Sequence, residues 1–139
     1  MRYRFRPADS AQQIVGGFLL AGPFVVTEEV WDLAENMNRF RMLLTVIVAC
    51  AIGYGALYQA DTKRDPDRET AVVGVPVRFL SLMCVAFGSV AILAFLFDAP
   101  DTFLDSSKST AELVETTFNA VSVGAVFSVV GAATADTLF

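Results

Sequence analysis

Residues 15–31 read VGGFLLAGPFVVTEEVW, an apolar run with a proline inside it that leads directly into paired glutamates. No charged residue occurs from Ser10 to Thr27, and about 18–20 such residues can cross the hydrocarbon core of a bilayer as a helix. Pro23 removes a backbone donor and predicts a kink, or a helix break, that neighbouring helices would have to satisfy. Gly16, Gly17, Ala21 and Gly22 leave room for close helix contact, and Gly17 with Ala21 makes a small-xxx-small pair. The run therefore predicts a packed membrane helix, continuing to about residue 33.

The end of this helix is its unusual part. Glu28, Asp32 and Glu35 are spaced by four and three residues, so on a continuing helix they share a face. Like charges there repel, and a helix C-terminus disfavours anions. One reading is a water-exposed acidic rim. The sharper one is that Glu28 faces a polar cavity and handles cations or protons, with Thr27 and Glu29 supplying neighbouring oxygens.

Three further apolar blocks follow in the 139 residues, of which 55% are hydrophobic, with a mean hydropathy of +0.55. This is too apolar for an ordinary soluble domain. The expected architecture is all-α: a single domain, residues 1–139, forming a bundle of four transmembrane helices with spans near residues 11–33, 42–60, 76–97 and 113–136. The net charge of −5 argues against nucleic acid as a partner. Histidine is absent, which removes the usual near-neutral proton shuttle and the commonest metal ligand. No metal site or cofactor is expected. Cys50 and Cys84 fall inside apolar spans and read as small packing residues rather than a disulfide.

Before the first span, Arg2, Arg4 and Arg6 alternate with Tyr3 and Phe5, a pattern suited to lipid headgroups or to a disordered tail. Asp9 or Ser10 would cap the first helix, Ser10 with Gln13 as a capping box. In the second span Gly53, Gly55 and Ala56 are small contact points, and Tyr54 and Tyr58 approach its end. Residues 61–69, DTKRDPDRE, imitate a calcium loop, but Pro66 interrupts it and the required glycine and terminal glutamate are missing. Arg78 opens the third span and is expected to reach out to the headgroups. Ser81, Cys84 and Gly88 form a weakly polar face suited to another helix. Ser109 and Glu112 predict that the last helix starts outside the bilayer near Thr110. Gly124, Ser128, Gly131 and Ala135 line one face of that helix, the strongest packing face in the chain. Asn119 and Ser122, a turn apart, are placed to hydrogen-bond across helices, and Asp136 ends the span.

Seven basic residues (Arg2, Arg4, Arg6, Lys63, Arg64, Arg68, Arg78) fall on one side of this four-span arrangement and three (Arg39, Arg41, Lys108) on the other. The bias predicts both termini in the cytoplasm and an acidic exterior. An ungapped alignment of the first and last helices pairs Val15-Gly16 with Val123-Gly124, Glu28 with Asp136 and Trp31 with Phe139, as an inverted repeat would.

The pieces QQIVGGFLLAGPFVVTEEVW, AIGYGALYQAD, RDPDRE and FSVVGAATAD together resemble a family of integral membrane proteins of unknown function common in halophilic archaea. The resemblance covers most of the chain, implies a multi-pass cell-membrane protein and agrees with an acidic composition suited to high salt. It implies no activity and carries over no functional residue.

Two functions follow from the residues. In the first, an oligomer builds a cation or proton pathway, with Glu28 as gate, Thr27 and Glu29 beside it, Pro23 exposing backbone carbonyls, and Asp136 at the opposite mouth. Gly17, Ala21, Gly124, Ser128 and Gly131 would then pack helices within or between copies. In the second, the chain is a structural or accessory protein bound to the lipid bilayer and to another membrane protein. The first is slightly favoured, because an acidic column opposed by a helix dipole calls for a cation; against it, every acid lies at a span end. An enzyme is not expected, since no nucleophile and base stand at a known spacing.

Overall fold

A computed structural model describes residues 7–25, 27–59, 71–72, 75–104 and 109–138. The N-terminal arginine–aromatic segment, the acidic loop at residues 61–69 and Lys108 lie outside the described residues. Helix α1 spans Pro7–Val25, with Pro7 at a first-turn position where its missing N–H costs nothing. Helix α2 spans Glu28–Glu35 and follows an extended Thr27. Helix α3 covers Arg39–Tyr54, and its N-cap Asn38 accepts a 2.8 Å hydrogen bond from the Arg41 backbone N–H. It runs into a π-helical turn at Gly55–Gln59. A minimal antiparallel pairing of β1 (Ala71–Val72) with β2 (Val75–Pro76) precedes α4, Val77–Leu96. A short α5, Ala99–Phe103, and a long α6, Thr110–Leu138, complete the chain. The start of α6 uses the serine half of the expected capping box: Ser109 Oγ accepts the Glu112 N–H at 3.2 Å.

Residues 39–58, 77–96 and 110–136 each form a helix long and apolar enough to cross a membrane, and α1 with α2 makes a fourth only if the bent pair is counted as one span. The outer surface carries Leu19, Phe40, Ile47, Ile92, Phe95 and Leu96, all more than half exposed, while Gln13, Arg78, Ser128 and Asp136 are buried. A water-soluble fold would reverse that distribution; lipid demands it.

The first span, expected over residues 11–33 with a kink or break at Pro23, is broken further along. The helix passes Pro23 and ends at Val25, and α2 stands at 85° to Pro7–Pro23. Val30, Trp31 and Ala34 pack inward, with Trp31 stacked on Phe103 of α5 at 6.2 Å between ring centroids. Glu28, Glu29, Asp32 and Glu35 stay exposed. The amphipathic pattern of α2 is therefore that of a helix lying across the end of the bundle.

Helix α6 is the spine. Over its most apolar 18 residues it buries 67%, against 28% for α4 and 17% for α3, and it packs against α1, α2, α3 and α4. Its small residues let neighbours approach closely. A Cβ on Gly16 or on Gly131 would collide with the other's backbone carbonyl, and one on Gly124 would stand 2.7 Å from Val90 Cγ1. Two apolar clusters flank this spine. One joins α1, α2, α4, α5 and α6 around Trp31, Val90 and Ala120. The other joins the end of α3 to α4 and α6 around Leu57, Leu82 and Val129.

Candidate functional site

At the end of the bundle that holds the start of α1, the start of α4 and the end of α6, charged side chains meet in the interior. Asp9, Arg78 and Asp136 are 5%, 6% and 3% exposed. Arg78 Nη1 lies 2.7 Å from Asp136 Oδ1 and 2.9 Å from Oδ2, and its Nη2 lies 3.1 Å from Asp9 Oδ2. Gln13, fully buried, donates from Nε2 to Asp136 Oδ2 at 3.2 Å and to the Arg78 carbonyl at 3.4 Å. Ser81 gives its single hydroxyl proton to Gln13 Oε1 at 2.7 Å, so at the 2.8 Å contact with Ser10 it is Ser10 that donates. The network thus runs from Ser10 through Ser81 and Gln13 to Asp136, then through Arg78 to Asp9, and ties three helices together.

Local sequence explains who can take part. Asp9, Ser10 and Gln13 sit at i, i+1 and i+4 on α1, and Arg78 and Ser81 at i and i+3 on α4, so each set shares a helix face. These positions correct four expectations. Asp9 and Ser10 lie inside α1 rather than before it. Ser10 and Gln13 form no capping box with each other, because both side chains turn toward α4. Arg78 does not reach out to headgroups but is held between two carboxylates. Asp136 is not a water-accessible acid at a span end. Removing one member of such a buried pair leaves an uncompensated charge, at a cost of about 3–5 kcal/mol.

Two further polar nodes lie along α6. Ser128 donates to the Gly17 carbonyl at 3.0 Å and its hydroxyl is hydrogen-bonded to that of Ser89 at 3.0 Å, joining α6 to α1 and α4. Asn119 donates to the carbonyls of Ala34 at 3.2 Å and Met37 at 3.3 Å. It thereby adds a second donor to the Ala34 carbonyl, which already accepts the Met37 backbone N–H at 3.2 Å, and ties the segment after α2 to α6. Ser122, in contrast, bonds within its own helix, to the Phe118 carbonyl at 2.9 Å. Residues 119, 128 and 136 are about 12–14 Å apart along α6 at 1.5 Å per residue. Buried Ala120, Val121, Ala125, Val129, Ala132 and Ala133 fill the helix between them.

The other sequence candidates lie elsewhere. Glu28 and Glu29 occupy the first turn of α2, not the C-terminus of α1. There the helix dipole favours anions, so the electrostatic reason for expecting a bound cation disappears. Thr27 is half-buried at the bend and makes no side-chain cap. Pro23 is exposed, two residues before the end of α1. Gly17, Ala21, Gly124, Ser128 and Gly131 are all buried within the chain. Cys84 is exposed and Cys50 half-buried, so neither is a fully enclosed packing residue. The inverted-repeat reading fails: α6 runs straight through the region that would match the bend, and exposed Glu28 has no likeness to buried Asp136. Among the described residues no group of three or more Cys, Asp or Glu is placed to hold a metal ion.

Comparison with known protein families, curated proteins and solved structures gives no match.

Proposed function

We propose that this chain is an accessory membrane protein, acting through surfaces it presents to lipid or to a membrane partner rather than by conducting ions. One observation carries this reading. The polar nodes on α6 bond to the neighbouring helices, Ser122 bonds to its own helix, and alanine, valine and glycine occupy the rest of the buried spine between them. A conducting path needs polar groups that remain available to an ion from one side to the other. Here Asp136, the acid expected at one mouth, is engaged by Arg78 and Gln13, and Glu28 lies on the water-exposed rim.

The orientation belongs to this proposal. Arg78 is engaged in an ion pair, so it drops out of the charge bias, which becomes six basic residues against three. Both termini and the charge network then lie on the cytoplasmic side, and α2 lies across the outer face. The small-residue faces are used inside the protomer and no longer argue for a second copy.

The test is ion and proton flux in proteoliposomes, comparing wild type with Glu28→Gln and Asp136→Asn at equal reconstitution. The expected result is no flux above empty vesicles under Na⁺, K⁺ or pH gradients. Flux in the wild type that falls in either variant would overturn the accessory reading in favour of an oligomeric cation or proton pathway.

A further inference from the structure

Helices α3 and α4 meet at only one end of the bundle. Near Gly53 and Tyr54 they touch through Leu82, Met83 and Phe79. Toward the other end they part, and the face of α6 bearing Val114 and Phe118 is left open between them, 63% and 47% exposed. The opening holds two grooves, one of 570 Å³ along α4 with Asp101 at its mouth, and one of 630 Å³ along α3 with Arg39 at its mouth. A helix about 10 Å wide with a 5.4 Å pitch fills roughly 420 Å³ per turn. The two grooves together have room for roughly three turns, the length of α3 from Arg39 to Val48.

That stretch of α3 is itself unpartnered on two sides. Its 3.6-residue period puts Met42, Ala49 and Gly53 on the side turned to α6, where Gly53 lies against Val129. Arg39, Leu43 and Tyr54 share the side turned to α4, as the contact of Tyr54 with Phe79 shows. Phe40 and Ile47 face away from α6, and Arg41 and Val48 face away from α4; all four are exposed. Lipid tails are as apolar as these side chains, so apolar exposure alone selects no occupant for either surface. The charges do. Arg39 stands 3.8 Å from Glu115, which sets the first turn of α3 at the depth of the first turns of α6. Arg41, on the other side of that turn, has no ion pair among the described residues. Asp101, across the opening at the same rim, likewise has none.

We infer that two copies of this chain pair through these surfaces, α3 of each filling the α3–α4 opening of the other. Copies inserted in the same sense are related by a two-fold axis along the membrane normal, which keeps every residue at its own depth. With that axis in the opening, the Leu43 sides of the two α3 helices meet. Phe40 and Ile47 then lie on Val114 and Phe118 of the partner subunit. Arg41, on the far side, comes to Asp101 of the partner subunit, and the symmetry forms this ion pair twice. One rotation thus covers both unpartnered sides of α3, fills both grooves, and gives each of the two unpaired charges its opposite. The pairing is independent of the accessory reading, and ion flux in the preceding assay would leave it standing.

Two measurements in liposomes test it. The first counts photobleaching steps of the full chain, labelled at its C-terminus, as protein density is lowered. The expected result is a dimer in wild type, about fivefold weaker with Arg41→Asp or Asp101→Arg, and recovered when the two reversals are combined. Both positions are exposed, so neither change threatens the fold. The second oxidises Leu43→Cys in a chain whose Cys50 and Cys84 are replaced by Ala, with Val48→Cys as control. Leu43→Cys should link two chains near the axis, and Val48→Cys should not. A wild type that bleaches in single steps at every density would overturn the inference and leave the opening to lipid or another membrane protein. A dimer that links through Val48→Cys instead, or that shows no recovery in the double reversal, would overturn it as well.

Discussion

Arg78 and Asp136, 58 positions apart in the chain, meet through one guanidinium nitrogen that lies within 2.9 Å of both carboxylate oxygens. Both side chains are almost wholly enclosed. The pair closes the same end of the bundle at which Asp9 holds the other guanidinium nitrogen, so one arginine ties α1, α4 and α6 into register. Arg78→Leu is expected to lower stability by about 3–5 kcal/mol, because two buried carboxylates lose their cation. Asp136→Asn should cost less, about 1–3 kcal/mol. Replacing Arg78 by Met and both aspartates by Leu should recover most of the loss. Denaturant unfolding in a defined detergent measures all three.

Gly16 and Gly131 tell a second story about register. Each occupies the space a side chain on the other would need. Gly131→Ala should therefore destabilise by about 1–3 kcal/mol through overpacking. Gly88→Ala, facing open space, should be neutral or stabilise by up to about 1 kcal/mol, since alanine is the better helix former. Equal melting shifts in the two variants would contradict the close α1–α6 crossing.

Asn119 ties the end of α2 to α6. With Asn119→Ala the Met37 carbonyl loses the amide donor while the Ala34 carbonyl keeps its bond from the Met37 N–H, and a cost of about 1 kcal/mol is expected. The loss should be local: amide hydrogen exchange should speed up across residues 28–37 while the core of α6 keeps its protection. Ser122→Ala, which removes only a bond within its own helix, should leave that exchange unchanged.

The Asp98 and Asp101 pair predicts a pH effect. The hydrogen bond and the neighbouring charge raise the pKa of Asp98, because its protonated form both donates to Asp101 and escapes repulsion. A carboxyl whose folded pKa is raised contributes stability present below its unfolded value and lost as pH rises through the folded one. For this solvent-exposed group the contribution is small and weakens with salt. A ¹³C titration of the Asp98 carboxyl should show it protonating above the ordinary aspartate range. Asp101→Asn should bring it back down.

Some of the candidate site was legible in the chain and some was not. Glycine and serine spacing on α6 pointed to a packing face, and the structure places α1 and α4 there, at Gly131, Ser128 and Gly124. Asp136 was legible as an acid at a span end, and Arg78 as a base at another. That they face each other was not legible, because a charge near the end of an apolar helix has the same pattern whether the helix turns it to water or to the interior. Gln13 carried a faint signal: an amide one turn into an apolar span has to find a partner. The acidic face of α2 misled, because Pro23 drew the break to itself while α1 continued to Val25 and the chain turned only afterwards.

Local composition was enough for a helical chain with three segments able to cross a membrane, or four if the bent α1–α2 pair is counted as one span. Helix formation and hydropathy are local properties, and a run of about 20 apolar residues has few other ways to satisfy its backbone in lipid. The tertiary structure decided which ionisable groups are buried, which small residues meet, and where α6 is left open between α3 and α4. Those outcomes depend on the rotation and tilt of each helix, set by contacts between residues as far apart as Gln13 and Asp136, 123 positions along the chain.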